Sequence, residues 1–162
     1  RKEIARRFDG RIEQVRSLIA KIVIWDAKNI LDKNIPSNWS PQESPGLVEV
    51  LKNKGIFYDV REEIARKLST WSPQESPGLV EVLKNKGIDY RVRIKIARRL
   101  SPWSLQGSLG LVEILEDENI DYDVRKEIAR KLSPWSPQGS PELVKMLKDG
   151  SIDYSIRKEI AQ

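Results

Sequence analysis

Between Ser44 and Thr70 the apolar positions fall into two short stripes, each with a helical repeat. Leu47, Val48, Val50 and Leu51 recur at i, i+3 and i+4, one face of a helix. Val60, Ile64 and Leu68 recur at i, i+4 and i+8 with Ala65 beside them, while Arg61, Glu62, Glu63, Arg66 and Lys67 fall outside that stripe. Ser44 followed by Pro45 reads as an N-cap and a first helical residue. Gly55 is expected to close the first helix in the left-handed conformation. Ile56-Phe57-Tyr58 is then a short apolar connector. Asp59 is expected to cap the second helix, with Glu62 three residues on completing a capping box. The segment therefore predicts a helix–turn–helix pair.

The same pair is spelled several times. WSPQESPGLVEVLKNKGI at 39–56 returns unchanged at 71–88. Ser44, Ser76, Ser108 and Ser140 open equivalent stretches, each 32 residues after the last. Full units run 44–75, 76–107 and 108–139, and a partial terminal unit runs 140–162. Pro73 and Pro77 forbid one continuous helix through a junction. Upstream, VRSLIAKIVIWDAKNILDKNI (15–35) aligns with 48–68 without a gap, which makes 10–43 a diverged unit. Ile22 replaces Gly55 there, so its two helices either remain separate or fuse. RKEIARRF (1–8) copies RKEIARKL (125–132), so 1–9 reads as the second helix of a preceding unit. A lone helix pair cannot bury its apolar faces, and stacked copies can. The expected organisation is a single repeat domain over 1–162, all-α, with a 32-residue period.

Composition removes chemistry from the picture. The 162 residues contain no cysteine and no histidine. Disulfides, thiolate chemistry, Cys/His zinc sites and Ser-His-Asp or Cys-His nucleophiles are thereby excluded. Glu62/Glu63 and Glu116/Asp117/Glu118 are adjacent in sequence and splay around a helix, whereas acid–base work needs two groups converging on one cleft. No catalytic residue, cofactor or metal is expected. The longest apolar stretch, LIAKIVIW (18–25), is interrupted by Lys21 and falls short of the roughly 20 residues that span a bilayer. Residue 1 is Arg and no secretory signal is seen, so the expectation is a fragment or processed product in a cytoplasmic, intracellular setting, away from membranes.

LVEILEDENIDYDVRKEIARKL (111–132) has an apolar first helix, a turn with Asp, then Val-Arg, Ile-Ala and a closing Leu. In this it resembles the HEAT-like repeat, and the pattern recurs at 47–68, 79–100 and 143–162. The resemblance implies a right-handed α-solenoid of two-helix repeats with the second helices along the concave face; such repeats serve many roles, and it is the lack of converging catalytic groups that makes a non-catalytic binding scaffold the expectation. The resemblance also implies pairing between a turn Asp and the Arg after Val in neighbouring units. Arg61, Arg93, Arg125 and Arg157 hold that Arg position. Asp89, Asp121 and Asp153 hold one turn position, and Asp59 and Asp123 another. The SPWSPQ linker (133–138) is longer and richer in Pro and Trp than the usual junction. An alkylpurine DNA glycosylase and a phycobilisome-type chromophore lyase are HEAT-like enzymes, and neither has a signature among these residues.

Charge is sorted by helix. The second-helix stretches 1–8, 60–68, 92–100, 124–132 and 156–162 carry formal charges of +3, +1, +4, +3 and +1, against +5 for the whole chain. The first helix at 109–118 carries Glu113, Glu116, Asp117 and Glu118 with no balancing Lys. The candidate binding residues are therefore Arg61, Arg66, Lys67, Arg93, Lys95, Arg98, Arg99, Arg125, Lys126, Arg130, Lys131, Arg157 and Lys158. Two readings stay open. The row is a solvated face whose last-turn cations complement the helix dipoles, or it is a positive groove for an acidic protein segment, another domain, or nucleic-acid phosphates. Trp39, Trp71, Trp103 and Trp135 recur at the junctions, either as plugs bonded through the indole N–H or as stacking surfaces. Tyr58, Tyr90, Tyr122 and Tyr154 are expected to pack between first and second helices. Ile4, Ala5, Phe8, Ile156 and Ile160 are expected at open ends of the stack, which predicts end-to-end self-association.

Overall fold

The computed structural model describes Lys33, 35–132, 141–150 and 152–162. The chain divides into two compact units, Arg1–Pro36 and Ser37–Gln162, and the second is described here. The expectations for 1–9, for most of 10–43, for the 133–138 linker and for Trp135 lie outside the described residues.

The second unit is all-helical. Its helices are α1 (Pro45–Lys52), α2 (Tyr58–Lys67), α3 (Pro77–Lys84), α4 (Tyr90–Arg98), α5 (Leu109–Glu116), α6 (Tyr122–Ala129), α7 (Pro141–Lys148) and α8 (Tyr154–Ile160). A 3-10 turn, Leu105–Gly107, precedes α5. Each odd helix packs on the even helix that follows it. The even helices also pack in series, α2 on α4, α4 on α6 and α6 on α8, and α1, α3 and α5 do the same.

Helix boundaries differ in detail from the sequence reading. Ser44 and Ser76 occupy the N-cap positions ahead of Pro, but neither hydroxyl makes a cap bond. No described glycine has a positive φ, so Gly55 is not a left-handed cap. The first helices stop earlier, at Asn53, Asn85 and Asp117, whose backbones are extended. Their side-chain Oδ1 atoms accept the N–H of Gly55, Gly87 and Asn119 at 2.9, 3.0 and 2.9 Å. This Asx turn ends the helix without left-handed backbone. The second helices start two residues sooner than expected. Phe57, Asp89, Asp121 and Asp153 stand at their N-caps, so Asp59 lies inside the first turn and forms no capping box. Asp89 and Asp153 accept the backbone N–H of Arg91 and Ser155 at 2.9 and 2.8 Å.

The core is the two sets of stripes brought together. Leu51, Ile64, Ala65, Leu79, Leu83, Val92, Ile96, Leu111, Leu115, Val124 and Ile128 are all essentially inaccessible. Gly78 and Gly110, the second residues of α3 and α5, let neighbouring odd helices come close. A Cβ on Gly78 would lie 3.0 Å from Val48 Cγ1, and one on Gly110 2.7 Å from Val80 Cγ1. Ile156 and Ile160 are also buried, which corrects the expectation of an open edge there. Among the described residues at that end, Val144 and Tyr154 are exposed apolar side chains.

Trp39, Trp71 and Trp103 are each 2% exposed. Their indole N–H groups donate to the carbonyls of Ile64, Ile96 and Ile128 at 3.1, 3.3 and 3.0 Å. Their backbones form single parallel bridges to Leu68, Leu100 and Leu132. Each linker is thus pinned to the end of the second helix that follows it, by ring and main chain together. The plug reading describes these three residues.

Candidate binding face

The Arg at the fourth position of α2, α4 and α6 turns inward. Arg61, Arg93 and Arg125 are only 6%, 3% and 7% exposed, so they are not available on an open face, contrary to their place among the candidate binding residues. The reason lies in the turn just before them. In α4 and α6 the carbonyl just before the N-cap faces the guanidinium: Arg93 Nε donates to Ile88 O and Arg125 Nε to Ile120 O, both at 3.1 Å. Arg93 also donates to Leu83 O at 3.4 Å and pairs with Asp121 of the next unit. Arg157 donates to Leu147 O at 3.3 Å. A buried charge needs such partners. Arg61 Nε and Nη1 are buried and unbonded, and so is Arg157 Nε. Lys67 is also buried.

Much of the remaining charge is joined across units. On the odd helices Lys52 pairs with Glu81 at 2.6 Å, and Lys84 with Glu113. On the even helices Arg98 pairs with Glu127 and Arg130 with Glu159, each at 3.2 Å. All four join a residue to one 29 positions later. A unit is 32 residues, so the partner sits about one helical turn before the equivalent position in the next unit. Two more pairs run between even helices, Lys95 with Glu62 at 3.6 Å and Lys126 with Glu159 at 3.4 Å. Arg66 bonds Glu63 within α2, and Arg99 donates to Arg66 O at 2.8 Å. The acidic α5 finds its cations in the preceding unit, Lys84 for Glu113 and Lys86 for Asp117.

Some of these pairs hold a carboxylate below its usual range. Lys86, aided by Asn119, lowers the Asp117 carboxyl to about 2. Arg130 and then Lys126 hold Glu159 below the usual carboxylate range, and Glu159 with Tyr122 raises Lys126. Lys131 and Lys158 make no ion pair among the described residues.

The even helices also present aromatics. Tyr58, Tyr90, Tyr122 and Tyr154 are 38%, 45%, 36% and 73% exposed, so they do not fill the space between first and second helices. Each opens its helix, where the side chain points away from the core stripe that starts two residues later. Arg91 lies over the Tyr58 ring, 4.4 Å from its centroid, and Lys126 over Tyr122 at 5.7 Å. These tyrosines are the part of the face that sequence reasoning placed inside. Their 32-residue recurrence was the visible signal, but it does not distinguish a core position from a surface one.

Among the described residues no cluster of acidic side chains is arranged to hold a metal, and no helix is long and apolar enough to cross a membrane. No protein-family model, no curated protein and no solved structure matches the chain.

Proposed function

We propose that the chain is a short right-handed α-solenoid of HEAT-like helix pairs, a non-catalytic scaffold that holds an acidic protein segment along its even helices. The observation that carries this reading is a repeated exposed pair. Tyr58 with Arg66, Tyr90 with Arg98 and Tyr122 with Arg130 are eight residues apart on their helices and are all exposed. Eight residues is close to two helical turns, so each pair lies on one face. Tyr and Arg are the side chains that most often anchor protein interfaces. The three copies sit on helices that pack in series, so the anchors recur from one unit to the next. The exposed Lys158 and half-buried Lys131, which make no ion pair among the described residues, add positive charge to the same row.

The test is anisotropy with a labelled acidic peptide and, separately, a labelled single-stranded oligonucleotide, over a salt series. Saturable peptide binding, weakened in a K131E/K158E variant, is expected. Binding of the oligonucleotide alone, falling linearly in log salt, would replace the reading with phosphate recognition. Binding of neither would remove it.

A further inference from the structure

Helix α4 departs from its counterparts at two adjacent positions. Ile94 stands where the other even helices have Glu62, Lys126 and Lys158, and Lys95 where they have Glu63, Glu127 and Glu159. The inward positions are kept: Val92, Arg93, Ile96, Ala97 and Leu100 repeat Val60, Arg61, Ile64, Ala65 and Leu68. The change is therefore confined to the outer side, and alone among the four even helices α4 carries no carboxylate. It also interrupts the ladder between units. Arg98 and Arg130 reach the carboxylates 29 residues on, Glu127 and Glu159. The residue 29 positions after Arg66 is Lys95, a like charge. Arg66 bonds Glu63 of its own helix, and Lys95 reaches back to Glu62 at 3.6 Å.

The two departures build a small mixed surface. Tyr90, Ile94 and Arg98 are spaced four residues apart and so lie in one line along α4. Tyr90 and Arg98 are exposed, and Ile94 and Lys95 are half-buried. An aliphatic side chain thus replaces a charge in the middle of a helix whose other outer charges are all positive. Cations alone would suit any anion, but a phosphate backbone has nothing to place on Ile94. An acidic polypeptide with an apolar residue among its carboxylates matches both features. We infer that α4 is the docking point of the acidic segment, which lays an apolar side chain on Ile94, between Tyr90 and Arg98, and carboxylates on Lys95 and Arg98. The inference rests on the scaffold reading above and gives the partner a stated chemistry, acidic residues flanking an apolar one.

Two labelled, acetylated and amidated peptides are compared by anisotropy, an all-glutamate heptapeptide and the same peptide with leucine at its centre. The leucine peptide is expected to bind about tenfold more tightly, the scale of burying much of one aliphatic side chain. Ile94→Lys, which installs the residue found in α6 and α8, should erase that preference. Lys95→Glu should weaken both peptides about tenfold, the scale of one charge-assisted contact. Lys145→Glu makes the same charge change on α7 and should have little effect. Equal affinity of the parent for the two peptides, or equal losses in Lys95→Glu and Lys145→Glu, would overturn the docking point. If K131E/K158E abolishes binding while Ile94→Lys and Lys95→Glu leave it unchanged, the docking point fails and the scaffold reading stands. If neither peptide binds the parent, the scaffold reading falls and the docking point with it. Lys-Glu is the pair that α6 and α8 carry at these positions, so the double variant I94K/K95E keeps the test valid if a single change fails to fold.

Discussion

Trp71 concentrates the junction energetics in one side chain. It is 2% exposed, its indole N–H reaches Ile96 O at 3.3 Å, and its main chain bonds Arg99 O and the Ser101 N–H at 3.1 and 2.8 Å. Trp71→Ala deletes a buried aromatic and should cost about 3–5 kcal/mol. Trp71→Phe keeps most of the ring but not the donor. Ile96 O retains its bond from the Arg99 N–H, so no carbonyl is orphaned. The Phe variant should therefore lose only about 1–2 kcal/mol, one neutral hydrogen bond plus a small packing deficit. Tyr90, 45% exposed, provides the contrast, and Tyr90→Ala should stay within about 0.5 kcal/mol of the parent. Urea denaturation followed by circular dichroism measures all three. Amide exchange at Ser101 adds a local readout: protection should survive in the Phe variant, which keeps the main-chain bridge, and fall in the Ala variant. If Trp71→Phe is neutral, or Tyr90→Ala costs as much as Trp71→Ala, the tryptophan is not the plug described.

Arg93→Met removes donors from the Ile88 and Leu83 carbonyls and should destabilise by about 2 kcal/mol, whereas Arg98→Met breaks an exposed pair and should cost less than about 0.5 kcal/mol by the same denaturation assay. Gly110→Ala should destabilise by about 1–2 kcal/mol despite better helix propensity, since its Cβ would meet Val80 Cγ1 at 2.7 Å, and Val80→Ala in the same chain should recover part of the loss. Asp117 should titrate with a midpoint of about 2 by carbon-13 carboxyl shifts, moving up in Lys86→Ala. Its folded pKa is depressed, so the stability it lends is present above its unfolded value, about 3.9, and is lost as pH falls toward about 2.

Local features were legible because their causes are local. The apolar spacing of Val48 with Leu51, or of Ile64 with Leu68, marks a buried stripe on any helix that forms there. Pro45 and Pro77 mark helix starts through fixed φ and a missing N–H. Even so, two local readings failed through competition between neighbours. Gly55 looked like the helix stop, but Asn53 ends the helix earlier with its own side chain. Asp59 looked like the cap, but the chain enters the helix at Tyr58, and the capping position falls on Phe57.

The candidate face was less legible. Arg61, Arg93 and Arg125 share their residue type with Arg66, Arg98 and Arg130, and nothing in the letters separates the buried row from the exposed one. The separation comes from the turn, which aims the Ile88 and Ile120 carbonyls at one arginine position and not at the other. Likewise, the unbalanced acids of α5 could not be matched to Lys84 and Lys86 without the offset between stacked pairs.

The period, the helix pairs and the absence of cysteine and histidine chemistry were determined by the sequence alone, since each depends on residue identity or on spacings within one or two helical turns. Tertiary structure decided the rest. The tryptophan N–H finds a carbonyl 25 residues away, and ion pairs close at 29. Those outcomes depend on how far one helix pair is shifted against the next, a distance set by the packing of many side chains together and carried by no single position.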